Sequence, residues 1–466
     1  MMNQAPVLLT DEQMREFITK GYLVLKTDFS PEFHEELMEQ LNQVYEKEGN
    51  PGNNLLPRVP EIQEVFKHPA IDGALQSVIG PNYLMHTHRH GHFNATPKPG
   101  GWHKDSYWGY NRMRNHHPWW AMIMYFPQDT PPELGPTAVM PGTQNYESRV
   151  FQADDMKEEA LASGEAGTFI LIHYDIWHRA TANTLGQPRY MLKFEFMRTE
   201  APTTPSWNNE NAKWQTPSSA SELFYQHEDM WEETWNWLTG KIGSIAETKL
   251  TSDIDQLSEI LVAGNEPDAI NAAYQLAGSG DEGIDILAEA LYAARLKDSR
   301  LAAYALSVAG KKAIPHLESA LESKQDHTVA NAVFALGELR QHASSTIPKL
   351  NELIGHSSLH VRHTVVDALS MIQEPTEAAI VGLIRALKDE DVQTRFTAGL
   401  ALCRFGVEAD AAVPYLAEAL KDEDRYVRGH AAEALYFINT EAAKKTLIDF
   451  LLASRWCPST TPASTF

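Results

Sequence analysis

Gly167-Thr-Phe-Ile-Leu-Ile-His-Tyr-Asp-Ile-Trp-His178 is an apolar run that ends in polar residues, the pattern of a buried β-strand with a working rim. Upstream stands Trp102-His-Lys-Asp105. In an extended strand successive side chains point to opposite faces, so His103 and Asp105 project the same way and Lys104 points elsewhere. One strand end then offers a nitrogen and an anionic oxygen to one ion, and His178 at the end of a neighbouring strand completes the set. Two histidines and one carboxylate leave open positions on a metal, the pattern of a non-haem ferrous site at which oxygen chemistry occurs. After His178 come the turn formers Asn183, Gly186 and Pro188, and then Tyr190-Met-Leu-Lys-Phe-Glu-Phe196 reads as a return strand. A near-symmetric hairpin centred between Asn183 and Thr184 predicts Arg189 beside His178. A guanidinium there could clamp a carboxylate through two parallel hydrogen bonds.

The chain has 466 residues, too many for one core, and at about one domain per 100 to 200 residues it holds two to four. Its formal net charge is −23, of which residues 1–200 carry −8 and the remainder −15. Such acidity argues against nucleic-acid and anionic-membrane binding. Cys403 and Cys457 are the only cysteines, so no disulfide framework is indicated. No charged region followed by an apolar run opens the chain, and no stretch approaches the roughly 20 apolar residues of a membrane span. Ser464-Thr-Phe466 is not the peroxisomal address. The expectation is a soluble, cytoplasmic protein.

Beyond Ser252 the text becomes Ala/Leu/Glu-rich and repeats itself. Val361-Arg-His-Thr-Val-Val-Asp-Ala-Leu369, Thr394-Arg-Phe-Thr-Ala-Gly-Leu-Ala-Leu402 and Val427-Arg-Gly-His-Ala-Ala-Glu-Ala-Leu435 are copies of one helix, with final leucines 33 residues apart. Weaker copies end at Leu336, Leu306 and Leu276, giving about six repeats, and Ala386-Leu-Lys-Asp-Glu-Asp391 recurs as Ala419-Leu-Lys-Asp-Glu-Asp424. The period and texture resemble HEAT repeats, in which each unit buries its Ala/Leu face by stacking on its neighbours. An all-α solenoid over 252–455 is predicted, serving as an interaction surface or a structural brace, with a tail at 456–466. These repeats contain no His-Glu pair, the recurring ligand pair of the HEAT-repeat di-iron deoxyhypusine hydroxylase. Residues 201–251 form an aromatic and proline-rich joint: Pro202, Pro205 and Pro217 break the chain, and Glu222 to Trp237 reads as a helix carrying Phe224, Met230, Trp231, Trp235 and Trp237. Such a helix packs one domain on another or lids a site.

The order of Thr10-Asp-Glu-Gln, Gly21-Tyr-Leu-Val-Leu25, Trp102-His-Lys-Asp105, Gly135-Pro-Thr-Ala-Val-Met-Pro-Gly-Thr143 and the His178/Arg189 pair resembles the phytanoyl-CoA dioxygenase family of iron(II)/2-oxoglutarate oxygenases. The resemblance runs from about Leu9 to Arg198. It implies a double-stranded β-helix (jelly-roll, cupin-like) oxygenase domain over 1–200. It further implies Fe(II) on His103, Asp105 and His178, 2-oxoglutarate as co-substrate with its distal carboxylate on Arg189, and O2 as oxidant. Thr137 is a weaker candidate for the cofactor's other end. Relatives often carry a hydroxyl residue two places after the distal histidine or the arginine; here those places hold Ala180 and Met191. Related halogenating enzymes replace the carboxylate by a small residue, so Asp105 implies hydroxylation or another hydrogen-abstraction outcome on a small-molecule substrate, with release of succinate and CO2.

Met85-His-Thr-His-Arg-His-Gly-His92 puts His86, His88, His90 and His92 on one face of a strand. Alternate residues there spread about 6.5 to 7 Å apart, so the four cannot wrap one ion, although two adjacent ones could chelate. Either His90 and His92 line the pocket near the iron, or the run is solvated or packed. His116-His117 belong to that wall or to a loop. Trp102, Tyr107 and Trp108 flank the ligands and either shape the substrate cavity or pack in the core. Two roles stand open for the whole chain. In one, an oxygenase acts on a small molecule and the repeats brace it or mediate self-association. In the other, the repeats recruit a protein partner to a barrel that modifies it or only binds it.

Overall fold

The computed structural model describes residues 5–105, 113–152, 158–247 and 253–453, which divide into two compact units, Met1–Ala320 and Leu321–Phe466. The changes of texture near residues 200 and 251 both fall inside the first unit. Its β-rich part holds eight strands among the described residues: β1 (Tyr22–Lys26), β2 (Leu84–Asn94), β3 (Trp120–Tyr125), β4 (Thr137–Val139), β5 (Ala160–Leu161), β6 (Thr168–His173), β7 (His178–Ala180) and β8 (Arg189–Met197). They form two antiparallel sheets, ordered β1-β6-β3-β8-β2 and β5-β4-β7. Two such sheets are the jelly-roll architecture that the sequence implies.

The three inner strands of the larger sheet, β6, β3 and β8, are buried on both faces, which is why β3 and β6 read as continuous apolar runs. Outward, Phe194 and Phe196 pack on Phe66, with ring centroids 4.2 and 5.6 Å apart. Tyr125 meets His34 of the helix Pro31–Glu48 through a 2.7 Å hydrogen bond. The opposite residues of β8 are Arg189, Met191, Lys193 and Glu195, and they face inward. Register places Met122 and Met124 of β3, and His90 and His92 of β2, on that same side. At the N-terminus, Thr10 and Gln13 close a capping box on the helix Asp11–Lys20, and Gly21 ends it with φ 78°. The Gly21 carbonyl then accepts the His173 N–H at 2.8 Å.

The hairpin expected between the His178 strand and its successor does not form. β7 pairs with β4, whereas β8 pairs with β2 and β3 in the other sheet. The turn formers between them serve a crossing from one sheet to the other. Asn183 is fully buried; its side-chain amide donates to the carbonyls of Asn94 (3.0 Å) and Gln187 (2.7 Å).

In the joint, the helix runs from Glu228 to Leu238, shorter at its start than the pattern suggested, because Ser218–Glu222 forms a separate 3-10 turn and Phe224 is exposed. Trp231, Trp235, Trp237 and Leu238 are buried. Trp235 lies beside Trp207, and Trp237 stacks on His117 at 4.5 Å, so the helix is packed between the β-rich part and the first repeat.

Leu276, Leu306, Leu336, Leu369, Leu402 and Leu435 each sit near the end of a helix and are fully buried. Within the second unit the recurring Ala-Leu-Lys-Asp-Glu-Asp segments have a physical reason. Their first aspartates, Asp389 and Asp422, accept hydrogen bonds from Arg362 (3.2 Å) and Arg395 (2.8 Å) of the preceding repeat. Their last, Asp391 and Asp424, cap the next helix through the backbone N–H of Thr394 and Val427. Among the described residues no helix is long and apolar enough to cross a membrane.

His227 ties the first unit together. Its Nδ1–H donates to Asn271 Oδ1 at 2.6 Å and its Nε2 accepts from the Tyr146 hydroxyl. Burial pushes its pKa down to about 4, against the smaller upward pull of the Asn271 bond and Asp268. The unfolded chain therefore binds the proton first as pH falls, and stability is lost between pH 6.5 and about 4. His227→Gln is expected to flatten this slope by roughly 3 kcal/mol, as read by urea denaturation at stepped pH; an unchanged slope would contradict it.

Candidate metal centre

His103 makes an isolated antiparallel bridge to His178, with His103 N to His178 O at 3.0 Å and the reciprocal bond at 2.9 Å. Only this one residue of the expected strand pairs, yet the alternation holds. Lys104 points away and donates to the carbonyls of Thr143 and Gln144, each at 3.2 Å. The bridge sets the two imidazoles side by side, ring centroids 4.4 Å apart. Ligand atoms of His103, Asp105 and His178 lie within 4.8 Å of one another, and His103 is exposed, Asp105 half-buried and His178 buried.

Each imidazole is oriented by its own backbone. His103 Nδ1 lies 2.9 Å from the Gly101 carbonyl and His178 Nδ1 3.1 Å from that of Ile176. A carbonyl only accepts, so each Nδ1 carries the proton and each Nε2 keeps its lone pair for a metal. Burial pushes the His178 pKa down to about 4, outweighing the attraction of Asp105, so at neutral pH the ring is the neutral imidazole. Asp105 Oδ2 lies 3.4 Å from His178 Nε2 and 2.7 Å from Lys193 Nζ. Burial alone would raise the Asp105 pKa; the charges of Lys193 and His178 and the Lys193 hydrogen bond overcome it and hold the carboxyl well below the usual range.

Arg189 lies at the start of β8, on the face that carries Lys193. Its Nε donates to the Gly135 carbonyl at 3.1 Å, and its buried Nη1 has no hydrogen-bond partner among the described residues. Burial lowers its pKa to about 10, which leaves it a cation at neutral pH. Thr137 is opposite Ala180 in the smaller sheet, and among the described residues its hydroxyl reaches only the Met191 sulfur, at 3.2 Å. Burial first, then the charges of Lys193, His90 and Arg189, push the His92 pKa down to about 3, against the smaller upward pull of Asp105. His90 is opposite Lys193 in the register, with its ring 5.1 Å from that of His92. His86 lies 3.4 Å from Glu195.

The remaining candidates fall elsewhere. Trp102 packs edge-on against Phe151 at 5.0 Å and under the Arg179 guanidinium at 5.1 Å, which separates it from the His103 set. His116 and His117 meet Tyr304 and Trp237 instead. Tyr107 and Trp108 lie outside the described residues. Lys193 was not singled out in the sequence, although Arg-x-Met-x-Lys-x-Glu alternating with large apolar residues from Arg189 to Phe196 is the signal of a strand with one polar buried face.

Residues 17–191 match the model of the phytanoyl-CoA dioxygenase family, and residues 314–382 and 380–456 match HEAT repeats. No curated protein matches the chain. Similar solved structures include the non-heme alpha-ketoglutarate-dependent carbocyclase SnoK from nogalamycin biosynthesis, at 20% identity over 42% of this chain and 88% of that one (TM-score 0.34). HygX from Streptomyces hygroscopicus with nickel and 2-oxoglutarate bound is 15% identical over 41% of this chain and 87% of its own (TM-score 0.34). EctD from S. alaskensis is 15% identical over 43% and 80% (TM-score 0.36).

Removing the ammonium beside Asp105 leaves burial less opposed. In metal-free protein, Lys193→Met is expected to raise the Asp105 pKa by roughly one to three pH units, followed by carboxyl carbon NMR. An unmoved titration would show that Lys193 is not the group that keeps the carboxylate charged.

Proposed function

We propose that the β-rich domain is an iron(II)- and 2-oxoglutarate-dependent dioxygenase that oxidises a C–H bond of a small molecule, most simply by hydroxylation, releasing succinate and CO2. The observation that carries this reading is the convergence of one ring nitrogen each of His103 and His178 and the Asp105 carboxylate within 4.8 Å, with both Nδ1 atoms already satisfied by carbonyls. The donor set fits ferrous iron and leaves coordination positions for co-substrate and oxygen. When bound, iron with 2-oxoglutarate and O2 supplies the oxidising chemistry; the protein binds, orients and excludes water.

Each residue has a role in that reading. His103, Asp105 and His178 hold the metal. Arg189 takes the distal carboxylate of 2-oxoglutarate, since its buried Nη1 has no hydrogen-bond partner among the described residues and an unsatisfied buried donor is costly. Thr137 is assigned to the other end of the co-substrate, because a thioether is a weak acceptor and the hydroxyl loses little by leaving Met191. His90 and His92 wall the substrate side, and His92 stays neutral there. Asp105 would occupy the place that a halide needs, which favours hydroxylation or another hydrogen-abstraction outcome over halogenation.

Anaerobic titration of iron(II) and 2-oxoglutarate into the protein, followed by the visible charge-transfer band of the chelate, tests this. Wild type is expected to show the band and Asp105→Ala to lose it. Arg189→Ala should need roughly 30-fold or more 2-oxoglutarate, the size expected when one partner of a buried charge pair is removed. A wild-type protein without the band would refute the assignment.

A further inference from the structure

The two helical repeats inside the first unit carry tyrosine where the others do not. Two residues before the repeat leucine stand Tyr274 and Tyr304, whereas the later copies have Phe334, Asp367, Leu400 and Glu433. Both tyrosines are nearly fully buried, and both hydroxyls are engaged by the β-rich domain. Tyr304 Oη accepts the backbone N–H of Arg114 at 3.0 Å. Tyr274 Oη lies 2.8 Å from His116 Nδ1, and the His116 ring stacks on Tyr304 at 3.9 Å. Glu266 of the same repeats receives the backbone N–H groups of Glu147 (2.9 Å) and Ser148 (2.8 Å).

What these contacts hold is Arg114. Its Nη1 donates to the Asp105 carbonyl at 3.1 Å and to Asp175 Oδ1 at 2.9 Å, and its Nε donates to Glu147 at 3.3 Å. Asp105 is one metal-ligand residue, and Asp175 is three residues before another, His178. One guanidinium therefore joins the two ligand segments, and both the backbone that carries it and its Glu147 partner are fixed by the repeats. A side chain that orients a metal ligand is worth roughly 10- to 100-fold in metal affinity.

We propose that Tyr304 and Glu266 are positioning residues for the metal site, acting through Arg114, so that the first two repeats are a working part of the oxygenase domain. This rests on the metal reading given above. In it, the repeats hold the Asp105 backbone at the spacing that lets its carboxylate share an ion with His178.

The test measures the cobalt(II) dissociation constant of full-length protein by visible absorption. Five variants are compared with wild type: Tyr304→Phe, Arg114→Met, their combination, His103→Ala and Ser299→Ala. The last removes a buried hydroxyl bonded to the Leu291 carbonyl at 2.6 Å on the same helix, away from Arg114. Tyr304→Phe should weaken cobalt binding about three- to tenfold and Arg114→Met roughly 10- to 100-fold. The combination should be no weaker than Arg114→Met alone, and Ser299→Ala should match wild type. Unchanged affinity in Tyr304→Phe, additive losses in the combination, or an equal loss in Ser299→Ala would each overturn the proposal. If His103→Ala also binds cobalt as wild type does, the metal reading falls, and the positioning role with it, by a signature distinct from the other three.

Discussion

Two reciprocal backbone hydrogen bonds between His103 and His178 are the constraint on which the site depends. Together with the Gly100 N–H to Ala180 carbonyl bond at 2.9 Å, they join the His103 segment to β7, and thereby put two imidazoles from distant parts of the sequence in contact. Backbone pairing is well suited to this. It fixes position without using the side chains, so both rings remain free to face one point. The Nδ1 bonds to Gly101 and Ile176 then choose which nitrogen faces it.

The second constraint is electrostatic. β8 is buried along its whole length, yet its inward face carries Arg189, Lys193 and Glu195. Buried charge is tolerated only when paired, and here the pairing is uneven. Lys193 is matched to Asp105, while Arg189 keeps a guanidinium nitrogen without a partner among the described residues. In the reading proposed above, that nitrogen, on a guanidinium held by the Gly135 carbonyl and 5.9 Å from the Phe126 ring, is where the anionic end of the co-substrate belongs. Burial also keeps the His178 and His92 rings neutral, so the interior offers uncharged imidazoles beside fixed charges.

Much of this was legible in the chain itself. Strand alternation gave the shared direction of His103 and Asp105 and the divergence of Lys104. The 33-residue and 30-residue spacing of six leucines located six buried helix ends. The error lay in long-range pairing: Asn183, Gly186 and Pro188 carry turn chemistry that suits a hairpin and a sheet-to-sheet crossing equally, and only the burial of Asn183 against Asn94 distinguishes them. Arg189 reaches the interior by alternation along β8 instead of by hairpin symmetry. Arg114 and Lys193 were invisible for a related reason, since their partners are 61 and 88 residues away and no local pattern encodes such distances. The tyrosines at 274 and 304 were readable as deviations from the repeat, but their meaning required the β-rich domain beside them.

The central claim, that three side chains from two separated segments share one ferrous ion, is tested most directly by anomalous diffraction at the iron edge from crystals grown and loaded without oxygen. The account predicts one strong peak bonded to His103 Nε2, His178 Nε2 and an Asp105 oxygen, with Lys193 moved off that oxygen. A peak on the His86 to His92 run, or no ordered peak near His178, would contradict it.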